Sequence, residues 1–137
     1  MNNAPILIID ADSDDRYFLQ EAWKQLNYSN ELLFFSSGEE ALDYLHSTRM
    51  APFLILCDVN LPKMDGFQLK KKMLEDADMN YKSIPFVYWS AVASPAQIQR
   101  SYDLGGNGFF IKDANFATIK QSLIDIVEYW RKSKTPF

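Results

Sequence analysis

Asp58 closes an apolar run, Phe53-Leu54-Ile55-Leu56-Cys57, and opens a loop punctuated by Pro62 and Gly66. A buried-type strand that delivers one carboxylate into such a loop places chemistry at a strand tip. Three other polar groups follow apolar runs in the same way: Asp10 after Ile6 to Ile9, Ser90 after Phe86 to Trp89, and Lys112 after Phe109 to Ile111. A carboxylate oxygen is a nucleophile toward a phosphoryl group bearing a good leaving group, and the product is an aspartyl-phosphate. Phosphoryl oxygens and carboxylates repel, so such an acceptor needs compensation. A divalent cation in an acidic corner, the ammonium of Lys112 and the hydroxyl of Ser90 would supply it.

Only a fold that gathers strand ends can bring these four residues together. Pro5 to Ile9, Glu31 to Phe35, Phe53 to Cys57, Phe86 to Trp89 and Gly108 to Ile111 read as short strands. Between them the apolar period becomes helical. Phe18, Leu19, Ala22, Trp23 and Leu26 follow an acidic start at Asp14-Asp15. Ser37 and Glu40 form a candidate capping box ahead of Ala41, Leu42 and Leu45. A third helix begins near Gly66 with Leu69, Met73 and Ala77 inward. A fourth begins at Ser94-Pro95, with Pro95 in its first turn and Ile98 and Tyr102 as its apolar positions. The last carries Phe116, Ile119, Leu123, Ile126 or Val127, and Trp130 on one side. Five strands alternating with five helices predict an α/β fold, a parallel sheet covered on both faces with right-handed crossovers. The C-terminal strand ends then meet at one rim, which collects Asp10, Asp58, Ser90 and Lys112.

The 137 residues, 47% hydrophobic, suit one domain, 1–137 with a core of about 4–131. A net charge of -4, with Lys and Arg dispersed, argues against nucleic acid as a partner. No apolar run approaches a membrane span, no secretory signal opens the chain, and the single cysteine excludes an intrachain disulfide; together these point to a cytoplasmic chain. Cys57, inside a strand, reads as a small buried hydrophobe, and His46, without other ligand-type neighbours, as a surface or boundary residue. The glycines of Asp103 to Gly108 lack the strand-GxGxxG-helix context of a dinucleotide site and read as a helix end with a tight turn. Phe18, Trp23, Phe67 and Phe116 fit helix-sheet packing.

The ordered set of motifs resembles the bacterial response-regulator receiver family over essentially the whole chain. Asp58 with Pro62 and Asp65-Gly66 resembles the phosphoacceptor strand and loop, Ser90-Ala91 the hydroxyl switch position, and Gly108-Phe109-Phe110-Ile111-Lys112 the fifth strand with its lysine. The resemblance implies a doubly wound, flavodoxin-like and CheY-like three-layer sandwich with strand order 2-1-3-4-5. It implies phosphorylation of Asp58 by a sensor histidine kinase or histidine phosphotransfer protein, assisted by Ser90 and Lys112. It also implies Mg2+ held by Asp10, Asp58 and the backbone carbonyl of Asn60, an aromatic switch at Phe109, and output as a changed affinity for a downstream protein rather than turnover as an enzyme. A homodimer stays open.

Two positions depart from the family pattern. Ala11 stands where the second of two consecutive acidic residues usually contacts magnesium, and a methyl group offers a hard cation no oxygen. Weakened magnesium binding is therefore expected, with Asp12 as the nearest substitute ligand and Asp14 and Asp15 as charges at a helix start. Asp113 stands where proline is usual after the lysine. The competing reading is a phosphorylation-independent, receiver-like adaptor with impaired magnesium binding.

Overall fold

The computed structural model describes residues 3–137; the first two residues of the expected 1–137 domain lie outside the described residues. The elements alternate from β1 (Ile6–Ile9), α1 (Ser13–Lys24), β2 (Leu32–Phe35), α2 (Gly38–Ser47), β3 (Leu54–Asp58) and α3 (Gly66–Glu75) to β4 (Phe86–Ser90), α4 (Pro95–Asp103), β5 (Phe109–Ile111) and α5 (Phe116–Lys132). All pairings are parallel, and the strand order is β2-β1-β3-β4-β5, as expected. Because side chains alternate across a sheet, strands that are apolar at every position must be covered on both sides. Leu7, Ile9, Ile55, Cys57, Phe86 and Tyr88 pack toward α2 and α3, whereas Ile6, Ile8, Leu54, Leu56, Val87 and Trp89 pack toward α1 and α5. Among the described residues, no helix is long and apolar enough to cross a membrane.

Local signals account for most helix boundaries. Asp65 and Gln68 close a reciprocal capping box at α3, and Ser94 and Gln97 close another at α4, with Pro95 at the helix start. Three expectations are corrected. Ser37 caps α2 through the Glu40 N–H, but the Glu40 carboxylate accepts from the Ser36 N–H instead of closing the box. Ala77 lies beyond α3, which ends at Glu75. Ile98 and Tyr102 do not form a buried stripe: they are 37% and 54% exposed, and the one buried residue of α4 is Ser101.

The loop after β3 turns on Gly66. Its N–H donates to the Val59 carbonyl at 2.9 Å, and a Cβ on it would lie 2.5 Å from the Asp58 carbonyl oxygen and 3.1 Å from Val59 Cα. Both obstacles are backbone, so no rotamer change relieves them. Gly66→Ala is expected to cost about 2 kcal/mol of folding stability, read as a lowered urea midpoint at unchanged slope. A midpoint equal to that of the native protein would show that the loop after Asp58 is not held this tightly.

Candidate functional site

Parallel pairing brings the four C-terminal strand ends to one edge. Asp58 and Ser90 are the last residues of β3 and β4, and Asp10 and Lys112 directly follow β1 and β5. Asp10 is tied to β2 by its N–H on the Phe35 carbonyl at 2.9 Å, and Lys112 to β4 by its N–H on the Ser90 carbonyl at 2.7 Å. Both anchors are backbone bonds, so the side chains are free to converge.

Lys112 Nζ lies 2.6 Å from Asp58 Oδ2, 2.6 Å from Asp15 Oδ2 and 3.0 Å from Asp10 Oδ2. One carboxylate oxygen from each of Asp10, Asp15 and Asp58 falls within 4.8 Å of the other two. Asp10 Oδ1 accepts the Asp12 N–H, and Asp58 Oδ1 accepts the Asn60 N–H. Asp10 Oδ2 is buried and faces the Lys112 ammonium, which places a hard-cation ligand atom inside the cluster. The cluster borders an open cleft of about 620 Å3 whose lining includes Ala11, Asp58, Asn60, Ala91 and Lys112.

The third carboxylate of the cluster comes from Asp15 and not from Asp12. Asp12 is the N-cap of α1: its Oδ1 accepts the N–H groups of Asp14 and Asp15, and it is absent from the clustered oxygens. Asp15, three residues further on, occupies the third helical position, where side chains lean back toward the helix start and the strand ends. Asp15 is thus a first-turn acid of α1, as expected, and in addition a partner of Lys112. The i,i+3 spacing of Asp12 and Asp15 is compatible with one carboxylate capping the helix while the other faces the rim, but spacing alone does not say which does which.

Ser90 is at the rim but its hydroxyl is engaged elsewhere, donating to the Val92 carbonyl at 2.7 Å. Phe109 is half-buried and stacked on Tyr88, with centroids 6.0 Å apart. Cys57 is fully buried, and burial together with the Asp58 and Asp10 charges pushes its thiol well above the ordinary range, which suits packing and not nucleophilic attack. His46 pairs at 3.0 Å with Asp76 at a partly exposed boundary, away from the rim.

Electrostatics match this geometry. Burial alone would lower the Lys112 pKa, but hydrogen bonds from its ammonium to Asp15 and Asp58 and the neighbouring Asp10 charge outweigh it and raise it. Burial raises Asp10 from 3.8 to about 6, against the Asp12 N–H and the Lys112 charge, which both act to lower it. The proton is thus held more tightly in the folded than in the unfolded chain. The stability this contributes is complete below pH 3.8 and is lost as the pH rises through about 6. The shift is worth at most ~3 kcal/mol at ~1.4 kcal/mol per unit, and losing the attraction to Lys112 offsets part of it. Metal-free Asp10→Asn is therefore expected to be more stable than the native protein by ~1 kcal/mol at neutral pH, the difference vanishing on acidification. Urea midpoints across this range check it; a variant less stable at neutral pH would contradict the sign.

The chain matches the family profile described as "Response regulator receiver domain" over residues 6–124. It belongs to the receiver family. Among solved structures this receiver is similar to the phosphorylated cyanobacterial phytochrome response regulator RcpA, with a TM-score of 0.87, 30% identity, and 99% of this chain and 100% of that one covered. It is also similar to the Mn(2+)-bound form of response regulator Rcp1, with a TM-score of 0.83, 26% identity and coverage of 98% and 99%. Among curated proteins, the hybrid signal transduction histidine kinase E of Dictyostelium discoideum is 30% identical over 119 residues, covering 86% of this receiver and 7% of that kinase. Receivers are phosphoacceptors in signalling, and this one has an acidic cluster positioned for a divalent cation and a phosphoryl group.

Proposed function

We propose that Asp58 receives a phosphoryl group from a histidine kinase or histidine phosphotransfer protein, and that the phosphorylated receiver, with a core of about residues 4–131, presents an altered surface to a downstream protein. The convergence of the Lys112 ammonium on Asp58, Asp15 and Asp10 carries this reading. An Asp58 carboxylate oxygen bonds to phosphorus as the bond from phosphorus to the donor imidazole nitrogen breaks, and that nitrogen keeps the electron pair. Lys112, already at 2.6 Å from the acceptor, moves its charge onto the incoming phosphoryl oxygens. Ser90 gives up its bond to Val92 and donates to the phosphoryl group, which releases the loop between β4 and α4.

A magnesium ion fits the donor set, and Asp10, Asp58, Asp15 and the Asn60 carbonyl are the groups that would hold it. When bound, it neutralises charge on the phosphoryl oxygens. Asp15 restores the charge absent at Ala11 from a longer lever, so binding is weaker than with an acid at position 11. The likeness to RcpA supports a phytochrome-type sensor as the kinase class, and the likeness to a hybrid kinase supports a phosphorelay setting.

Incubation with phosphoramidate and magnesium, then intact-mass measurement and peptide mapping, tests the reading. One phosphoryl adduct at Asp58 is the expected result. An adduct elsewhere overturns the assignment, and no adduct from either phosphoramidate or a histidine kinase would favour the phosphorylation-independent adaptor.

A further inference from the structure

Tyr88 lies at the centre of the aromatic packing under α4 and is fully buried. Its ring faces Phe67, Phe86 and Phe109 at centroid distances of 5.3, 5.1 and 6.0 Å. Its hydroxyl has no hydrogen-bond partner, although buried phenols ordinarily find one. Burial correspondingly holds the phenol pKa above its ordinary value.

The end of α4 rests on this ring. Gly105 adopts φ +79°, and the N–H groups of Gly105 and Gly106 donate to the carbonyls of Tyr102 and Ser101, a paired closure that turns the chain sharply inward. A Cβ on Gly106 would stand 2.7 Å from Tyr88 Cε2. The glycine therefore permits the helix end to lie directly against the ring. Little else holds α4: Ser101 is its single buried residue, Ile98 and Tyr102 are exposed, and Arg100 lies over Phe67 at 4.8 Å.

We infer that the Tyr88 hydroxyl is a built-in bias against the docked position of α4, because the hydrogen bond it lacks under the helix becomes available from water or a backbone carbonyl once α4 lifts from the ring. An unsatisfied buried donor costs the state that buries it and nothing in a state that solvates it. The bias therefore acts on the equilibrium between the two positions of the helix. Tyr88 borders both groups that the proposed switch uses, lying two residues before Ser90 and stacked on Phe109, and it is not among the clustered carboxylates. The inference goes beyond the proposed phosphotransfer and does not depend on it.

Tyr88→Phe deletes one oxygen and keeps the ring packing. Native-state amide hydrogen exchange of the unphosphorylated, metal-free full chain reads both the opening of α4 and, through β3, global unfolding. In the native protein α4 should exchange faster than β3, and in Tyr88→Phe the α4 amides should slow by about tenfold, the equivalent of ~1.4 kcal/mol. Unchanged or faster exchange in α4 would overturn the inference even if β3 slowed, since the hydroxyl would then weigh only on global folding. Exchange of α4 in step with β3 in the native protein would overturn it too, because the helix would have no separate opening to bias.

Discussion

Asp58→Asn should lose phosphorylation altogether, from small phosphodonors and from a histidine kinase alike. The amide keeps the size of the side chain and can still accept the Asn60 N–H, but it has no anionic oxygen with which to bond to phosphorus. No neighbour is placed to take over. Asp10 is buried beneath the cluster with a raised pKa, and Asp15 reaches the site from a helix turn with its oxygen on Lys112. Intact mass after exposure to phosphoramidate and magnesium reads the result directly, and circular dichroism shows whether the variant is folded. Residual labelling at the native yield would remove Asp58 from the mechanism and leave the cluster as a structural charge network.

Asp15→Asn should weaken magnesium binding on the order of 100-fold, whereas Ala11→Asp should tighten it about tenfold. Removing a carboxylate that contacts a hard cation costs at least what is lost at outer-sphere partners, roughly 10 to 100-fold. Asp15 is the member of the oxygen cluster that comes from α1 and not from a strand end, and Asp12, another acid lining the cleft, is engaged in capping the helix. Asp12→Asn serves as the control, because asparagine caps a helix about as well as aspartate. It should bind magnesium within about threefold of the native protein if Asp12 only caps α1. Calorimetric titration of the four proteins separates the possibilities. Equal affinities for native and Asp15→Asn, with a loss in Asp12→Asn, would return the substitute role to Asp12.

These two experiments bear on positions that differ in how far sequence alone defines them. Asp58, Asp10, Ser90 and Lys112 each follow a strand of apolar residues, and parallel strands covered by helices have one place to put their C-terminal ends. Strand order followed from the resemblance that the ordered motifs carried, and the alternation of apolar faces needed only the period-2 geometry of β-structure. The starts of α3 near Gly66 and of α4 at Ser94-Pro95 were legible for the same local reason, while the capping boxes of Asp65-Gln68 and Ser94-Gln97 emerged only in the structure.

Side-chain direction at the rim was decided elsewhere. Asp12 and Asp15 are both acids at a helix start, and which of them caps and which turns inward depends on the dihedral angles where β1 hands over to α1 and on the pull of Lys112 from β5, 97 residues away. Ser37 and Glu40 have the spacing of a capping box, but the Ser36 N–H competes for the carboxylate. The period of Ile98 and Tyr102 marks an apolar face without saying whether anything covers it; in the structure Ser101 is the side that packs inward and that face is exposed. Local sequence determines where the strands end and which chemistry they carry, because those are effects of neighbouring residues. The tertiary structure alone decides which carboxylate meets Lys112 and which face of α4 is buried, because both are settled by competition among groups distant in the chain.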